Sequence, residues 1–178
     1  MANTYTLIAS NTLGSSAASV TFSAIPNTYT DLVLRISARS DSPNGQGAAD
    51  GLFVRFNSSD AGQYSWTMIR STGTAVTSDY NYTVGNFYAG DYFGTNGYAA
   101  TASTFSSAEF YIPSYASSNK KPLSVVGVNE TNASAAYMGI EAALWNNTSA
   151  ISNISLAPVF ANNFVSGSSF FLYGIKNS

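Results

Sequence analysis

Apolar side chains recur at every second position along most of this chain, and turn residues interrupt the alternation at short intervals. A period of two puts successive side chains on opposite faces of a pleated strand. The spacing predicts strands over 4–9, with Tyr5 and Leu7 on one face, and over 18–24, where Val20, Phe22 and Ala24 alternate with hydroxyl residues. Pro26 stops the second, because proline cannot continue a ladder. Residues 31–40 give the clearest alternation, with Leu32, Leu34, Ile36 and Ala38 on one side and Val33, Arg35, Ser37 and Arg39 on the other.

After a loop at 41–47, Leu52, Val54 and Phe56 resume the pattern, followed by 63–71 with Tyr64, Trp66 and Met68 on one face. Further strands are expected at 104–112, closed by Pro113, at 123–131 and 135–145 as a hairpin, and at 151–160 and 168–175. The alanines of 135–145 would allow a helix, but Tyr137, Gly139 and the alternating Met138 and Ile140 favour a strand. About nine or ten strands with regular turns define an all-β chain. The expected architecture is a two-sheet antiparallel β-sandwich, jelly-roll-like, formed by residues 1–178 as a single domain. An immunoglobulin-like sandwich ranks second, because such domains run to about 100 residues.

Residues 72–103 break the pattern. Tyr80, Tyr82, Phe87, Tyr88, Tyr92, Phe93 and Tyr98 are separated there by glycines, so the stretch is expected to be an irregular, Tyr/Gly-rich loop or to hold further strands. Tyrosine among Gly, Ser and Asn is the chemistry of adaptable binding loops, and aromatic faces also stack on the apolar faces of sugars. Tyr80, Tyr82, Tyr88, Tyr92 and Tyr98 are therefore the candidate partner or glycan contacts. The alternative is that these rings fill a sandwich core.

Composition sharpens this picture. Charged residues make up only 9% of the chain against 45% hydrophobic and 14% aromatic, so the polar surface is mostly Ser, Thr, Asn and Gly. Neutral hydroxyls and amides can be buried against a partner without stripping a full charge of water. A net charge of −2 argues against nucleic acid, and the adjacent Lys120 and Lys121 before Pro122 read as a solvated turn. No apolar run approaches the roughly 20 residues of a membrane helix, and Met1 to Thr6 show no signal-peptide pattern.

The chain has no Cys and no His. Ser-His-Asp and Cys-His machinery and His- or Cys-based metal sites are thereby excluded. A carboxylate pair for glycoside hydrolysis needs only two acids at a suitable distance. Among Asp31, Asp41, Asp50, Asp60, Asp79, Asp91, Glu109, Glu130 and Glu141, only Glu109 and Glu141 lie in expected strands on an outer face, where solvated carboxylates are the ordinary explanation. Asp41, Asn44 and Asp50 share a Gly-rich loop, but their spacing is not that of a calcium-binding EF-hand. No enzyme activity, cofactor or metal is expected. The Asn-x-Ser/Thr triplets that begin at Asn57, Asn81, Asn129, Asn132, Asn146, Asn147 and Asn153 are explained by composition.

Four segments carry a resemblance: Tyr5 to Ala9, Val20 to Leu32, Arg55-Phe56-Asn57, and Gly167 to Ile175. Together they resemble a group of small virion structural proteins of tailed bacteriophages, notably aquatic ones. The resemblance implies a β-sandwich of the capsid-decoration or tail-fibre type, located in the virion and made in the host cytoplasm. Its implied partners are other virion proteins, major capsid protein or tail components, with a homo-oligomer expected. The chain shows no repetitive shaft, so a capsid decoration (cement) protein is the leading expectation. A tail-fibre or receptor-binding head that recognises a host surface glycan is the alternative.

Overall fold

A computed structural model of the chain, described for residues 4–43, 48–58, 62–89, 94–132, 136–160 and 162–176, contains strands and turns and no helix among those residues. The strands are β1 (Tyr5–Thr12), β2 (Val20–Phe22), β3 (Asp31–Ser37), β4 (Ala49–Asp50), β5 (Leu52–Phe56), β6 (Tyr64–Ser71), β7 (Val76–Val84), β8 (Phe87–Ala89), β9 (Thr95–Asn96), β10 (Ser107–Ile112), β11 (Lys121–Asn129), β12 (Tyr137–Trp145), β13 (Ile154–Pro158) and β14 (Ser169–Ile175). An eight-stranded sheet runs β1-β14-β3-β10-β11-β12-β6-β7, and a four-stranded sheet runs β2-β13-β5-β8. All pairings within these two sheets are antiparallel. The fold is thus the antiparallel β-sandwich expected from the alternation.

The inner faces hold the core: Leu32, Leu34 and Ile36 of β3, Leu52, Val54 and Phe56 of β5, Tyr64, Trp66 and Met68 of β6, and Leu156 of β13. Phe56 lies 5.6 Å from Trp145 and 6.0 Å from Tyr64, centroid to centroid. The polar tips of Tyr64 and Trp145 are satisfied. Trp145 Nε1 donates to Gln63 Oε1 at 3.1 Å, and the Phe56 amide donates to the Tyr64 hydroxyl at 2.8 Å. Buried rings with a polar atom need such partners to keep their packing gain. Phe87, from the tyrosine-rich stretch, is fully buried and meets Phe110 edge-on at 6.4 Å.

The stretch 72–103 is not one irregular loop, since it contains β7, β8 and the short β9. β7 escaped detection because nothing opposes it: every residue from Val76 to Thr83 is exposed, so neither of its faces carries a core pattern. Beyond β9, Arg39 organises the chain. Its guanidinium donates to the carbonyls of Tyr98, Ala100, Thr101 and Thr104 at 2.7–3.3 Å. Buried Ser106 and Asn129 secure the same end, through bonds to the carbonyls of Gly94 and Thr95.

Lys120 is exposed, but Lys121 is not part of a solvated turn. Its side chain is fully buried, and its ammonium donates to the carbonyls of Ser117, Asn119 and Thr148. These carbonyls do the work of a carboxylate partner, while burial pushes the ammonium's pKa below its usual value.

Two phenols shift the other way. Burial pushes up the pKa of Tyr115, whose hydroxyl donates to the Pro26 carbonyl, and that of Tyr111, which also donates to Asp31. Above about pH 10 an unfolded tyrosine loses its proton while these two keep theirs, so stability falls as pH rises through that region. Lys121 opposes this only below about pH 10.4: there the unfolded chain binds the extra proton, and raising pH favours the fold. Urea melts should therefore show stability declining from about pH 10.5 upward, with a shallower decline in Tyr115→Phe.

Candidate functional site

The acids do not assemble a catalytic pair. Glu109 stands on the outer face of the large sheet and accepts from Arg35 Nε at 2.8 Å. Glu141, expected on the same outer face, points into the sandwich and is 3% exposed. Trp145 sets this phase: it belongs with Phe56 and Tyr64 in the core, and residues an even number of positions away share its face. Glu109 and Glu141 therefore project from opposite sides of one sheet.

Asp31 accepts from the Tyr111 hydroxyl and the Ser114 amide, and Asp50 from the Ser40 hydroxyl and the Gly51 amide. Asp41 accepts from the backbone and side chain of Asn163 instead of converging with Asp50. Asn44, Asp60 and Asp91 lie outside the described residues. No group of three or more metal-ligating side chains occurs among the described residues. Asn57, the first Asn-x-Ser/Thr residue, has its side chain bonded to Ala150, Ser152 and Asn153, and Asn129 is fully buried.

The candidate tyrosines divide between separate places. Tyr80 and Tyr82 lie together on the outer side of β7, ring centroids 5.0 Å apart, 61% and 67% exposed. Tyr88 lies on β8, half-buried, stacked on Trp66 at 6.3 Å and edge-on to Phe53 at 5.6 Å. Tyr98 is exposed on the segment clamped by Arg39, and Tyr92 lies outside the described residues.

A larger feature adjoins Tyr80 and Tyr82. On the outer face of the eight-stranded sheet, cross-strand register places Ile69, Ile140, Val126, Glu109, Arg35 and Phe171 side by side across β6, β12, β11, β10, β3 and β14. In the neighbouring row Met138 stands beside Val128. Ile69, Ile140, Val126 and Met138 are each more than half exposed. A sheet with one face in water ordinarily alternates apolar inside and polar outside. Here β11 and β12 carry large apolar residues in both phases. The outward positions of these two strands and of β6 and β7 carry Ser, Thr, Pro, Ala, aliphatic residues and tyrosine, without a charge.

Toward β1, Arg35 and Glu109 neutralise each other, and the Arg35 guanidinium sits 5.8 Å from the Tyr5 ring centroid and 5.9 Å from that of Tyr173. The result is a broad, electrically neutral face with aliphatic residues at one side and tyrosines toward both edges.

The molecule is thus defined as an antiparallel β-sandwich with a neutral, apolar outer face. No protein-family model matches the chain, and no protein among the curated sequences is significantly similar to it. No helix among the described residues is long and apolar enough to cross a membrane.

Proposed function

We propose that the protein is a non-enzymatic structural subunit of a virion, a capsid decoration protein that attaches to a tailed-phage head through the outer face of its eight-stranded sheet. The observation that carries this reading is the neutral, half-exposed row of Ile69, Ile140 and Val126 with Met138 and Val128 beside it. Exposed apolar side chains gathered on one face mark an interaction surface, where scattered ones would not.

The size fits. Eight strands at about 4.8 Å spacing and roughly 25 Å of strand length make a face of roughly 900 Å². A standard stable interface takes about 800 Å² from each partner. The chemistry defines the partner as a surface equally poor in charge, because an unpaired charge buried against Ile140 would lose its water without compensation. A joint between capsid subunits of that character would be covered by this face, and repetition over the shell would add avidity to each contact. Binding of the purified protein to undecorated capsids, measured by co-sedimentation, tests the reading. Attachment that depends on Val126 and Ile140 is expected, and equal attachment after both are changed to Glu would overturn it.

A further inference from the structure

At one side of the sandwich the chain passes from the end of β7 in the large sheet to β8 in the small one through Gly85 and Asn86. β8 ends the small sheet and β7 the large one, and between them lies a groove of about 460 Å³. Phe53, Trp66, Asp79, Asn81, Asn86 and Tyr88 line it. That volume lies within the range of about 300–1,000 Å³ usual for small-ligand sites.

The wall combines two kinds of group. Tyr88 and Phe53 offer half-buried aromatic surface, held in place because Tyr88 stacks on Trp66. Trp66 is itself only 8% exposed, and its Nε1 has no acceptor among the described residues. The polar groups are already oriented by single bonds that leave a defined remainder. Asp79 Oδ1 accepts from the Tyr80 amide and leaves Oδ2 as an acceptor. Asn81 Oδ1 accepts from the Tyr82 amide and leaves its NH₂ as a donor. Asn86 Oδ1 accepts from Arg55 Nε and likewise leaves an NH₂.

An acceptor beside two donors suits hydroxyl groups, which donate and accept at once. The adjoining aromatic surface suits a flat apolar ring face. The carboxylate disfavours an anionic ligand, since the nearby Arg55 is engaged with Asn86. We infer that the groove is a binding site for a neutral saccharide, with Tyr88 and Phe53 packing against its ring and Asp79, Asn81 and Asn86 bonding its hydroxyls. The site adjoins the edge of the outer face at Tyr80, which also lines the groove, and would serve a decorated particle by holding it to surface glycans.

Trp66 provides the readout. The other tryptophan, Trp145, is fully buried and bonded to Gln63, so its emission is a constant background. The full chain is titrated with cellotriose, maltotriose, chitotriose and N-acetyllactosamine while tryptophan fluorescence is recorded. At least one of the four is expected to give a saturable change with a dissociation constant of about 1 mM or tighter. Asp79→Asn and Asn81→Ala, at exposed positions that leave the core intact, are each expected to weaken that binding about tenfold or more. Tyr88→Ala is expected to abolish it. No change with any of the four sugars, or binding that survives Asp79→Asn and Asn81→Ala together, overturns the assignment.

Discussion

Gly174→Ala is expected to lower the free energy of unfolding by about 2–3 kcal/mol, the upper part of the range for overpacking a filled core. Gly174 lies in β14 between Leu32 of β3 and Thr6 of β1, and the Tyr29 ring lies flat against it on the inner face. A Cβ built on Gly174 falls well inside van der Waals contact of three ring atoms of Tyr29, including Cγ, at the root of the ring. A flexible chain end would swing aside; a ring root moves only if the side chain leaves its rotamer or the 26–31 turn shifts. That turn also supplies the carbonyl that receives the Tyr115 hydroxyl, so the disturbance spreads to a second buried ring. Urea melts of Gly174→Ala, Tyr29→Ala and the double variant measure the coupling. The double variant should be less destabilised than the two single costs added together, by about 1–2 kcal/mol.

The second large effect falls on assembly. Val126→Glu with Ile140→Glu places two carboxylates in the centre of the outer face, at side chains that are 54% and 55% exposed in the free chain. In the free chain both carboxylates stay hydrated, so the stability of each variant should remain within about 0.5 kcal/mol of the parent. Against an apolar partner each would be stripped of water without an ion of opposite sign, at a cost of at least about 3 kcal/mol per site. That corresponds to about a hundredfold or greater loss of affinity for each carboxylate. Val126→Thr, similar in shape and neutral, should retain most of the attachment, because a hydroxyl loses far less hydration energy than a carboxylate. The contrast between Glu and Thr separates desolvation of charge from loss of shape.

Most of the sandwich was legible because core strands show one apolar phase. In β5 and β6 the apolar positions expected to share one face, Leu52, Val54 and Phe56 and then Tyr64, Trp66 and Met68, point inward together. The reading failed where phase carried no information. In β11 and β12 apolar and polar residues are mixed in both phases, so alternation alone could not assign faces. Glu141 was placed outward because carboxylates usually are, whereas the packing of Trp145 decides the register.

Lys121 was misread for a different reason. The three carbonyls that receive its ammonium come from residues 117, 119 and 148, a convergence that adjacent lysines before a proline do not reveal. The tyrosines singled out in the sequence do not form one cluster. Tyr80 and Tyr82 border the outer face, Tyr80 also lines the groove that holds Tyr88, and Tyr98 sits at a loop fixed by Arg39.

Methionine oxidation gives the most direct test of the outer face as the seat of assembly. Met138 is 56% exposed on that face near the start of β12, and Met68, at 2%, lies on the inner side of the same sheet as an internal control. Hydroxyl-radical labelling of the free protein and of the protein on capsids, read by mass spectrometry, compares the two residues in one experiment. Met138 is expected to oxidise readily in the free chain and to be protected on the particle, with Met68 unreactive in both and the exposed Tyr98 labelled in both. Equal oxidation of Met138 on and off the particle would contradict attachment through this face.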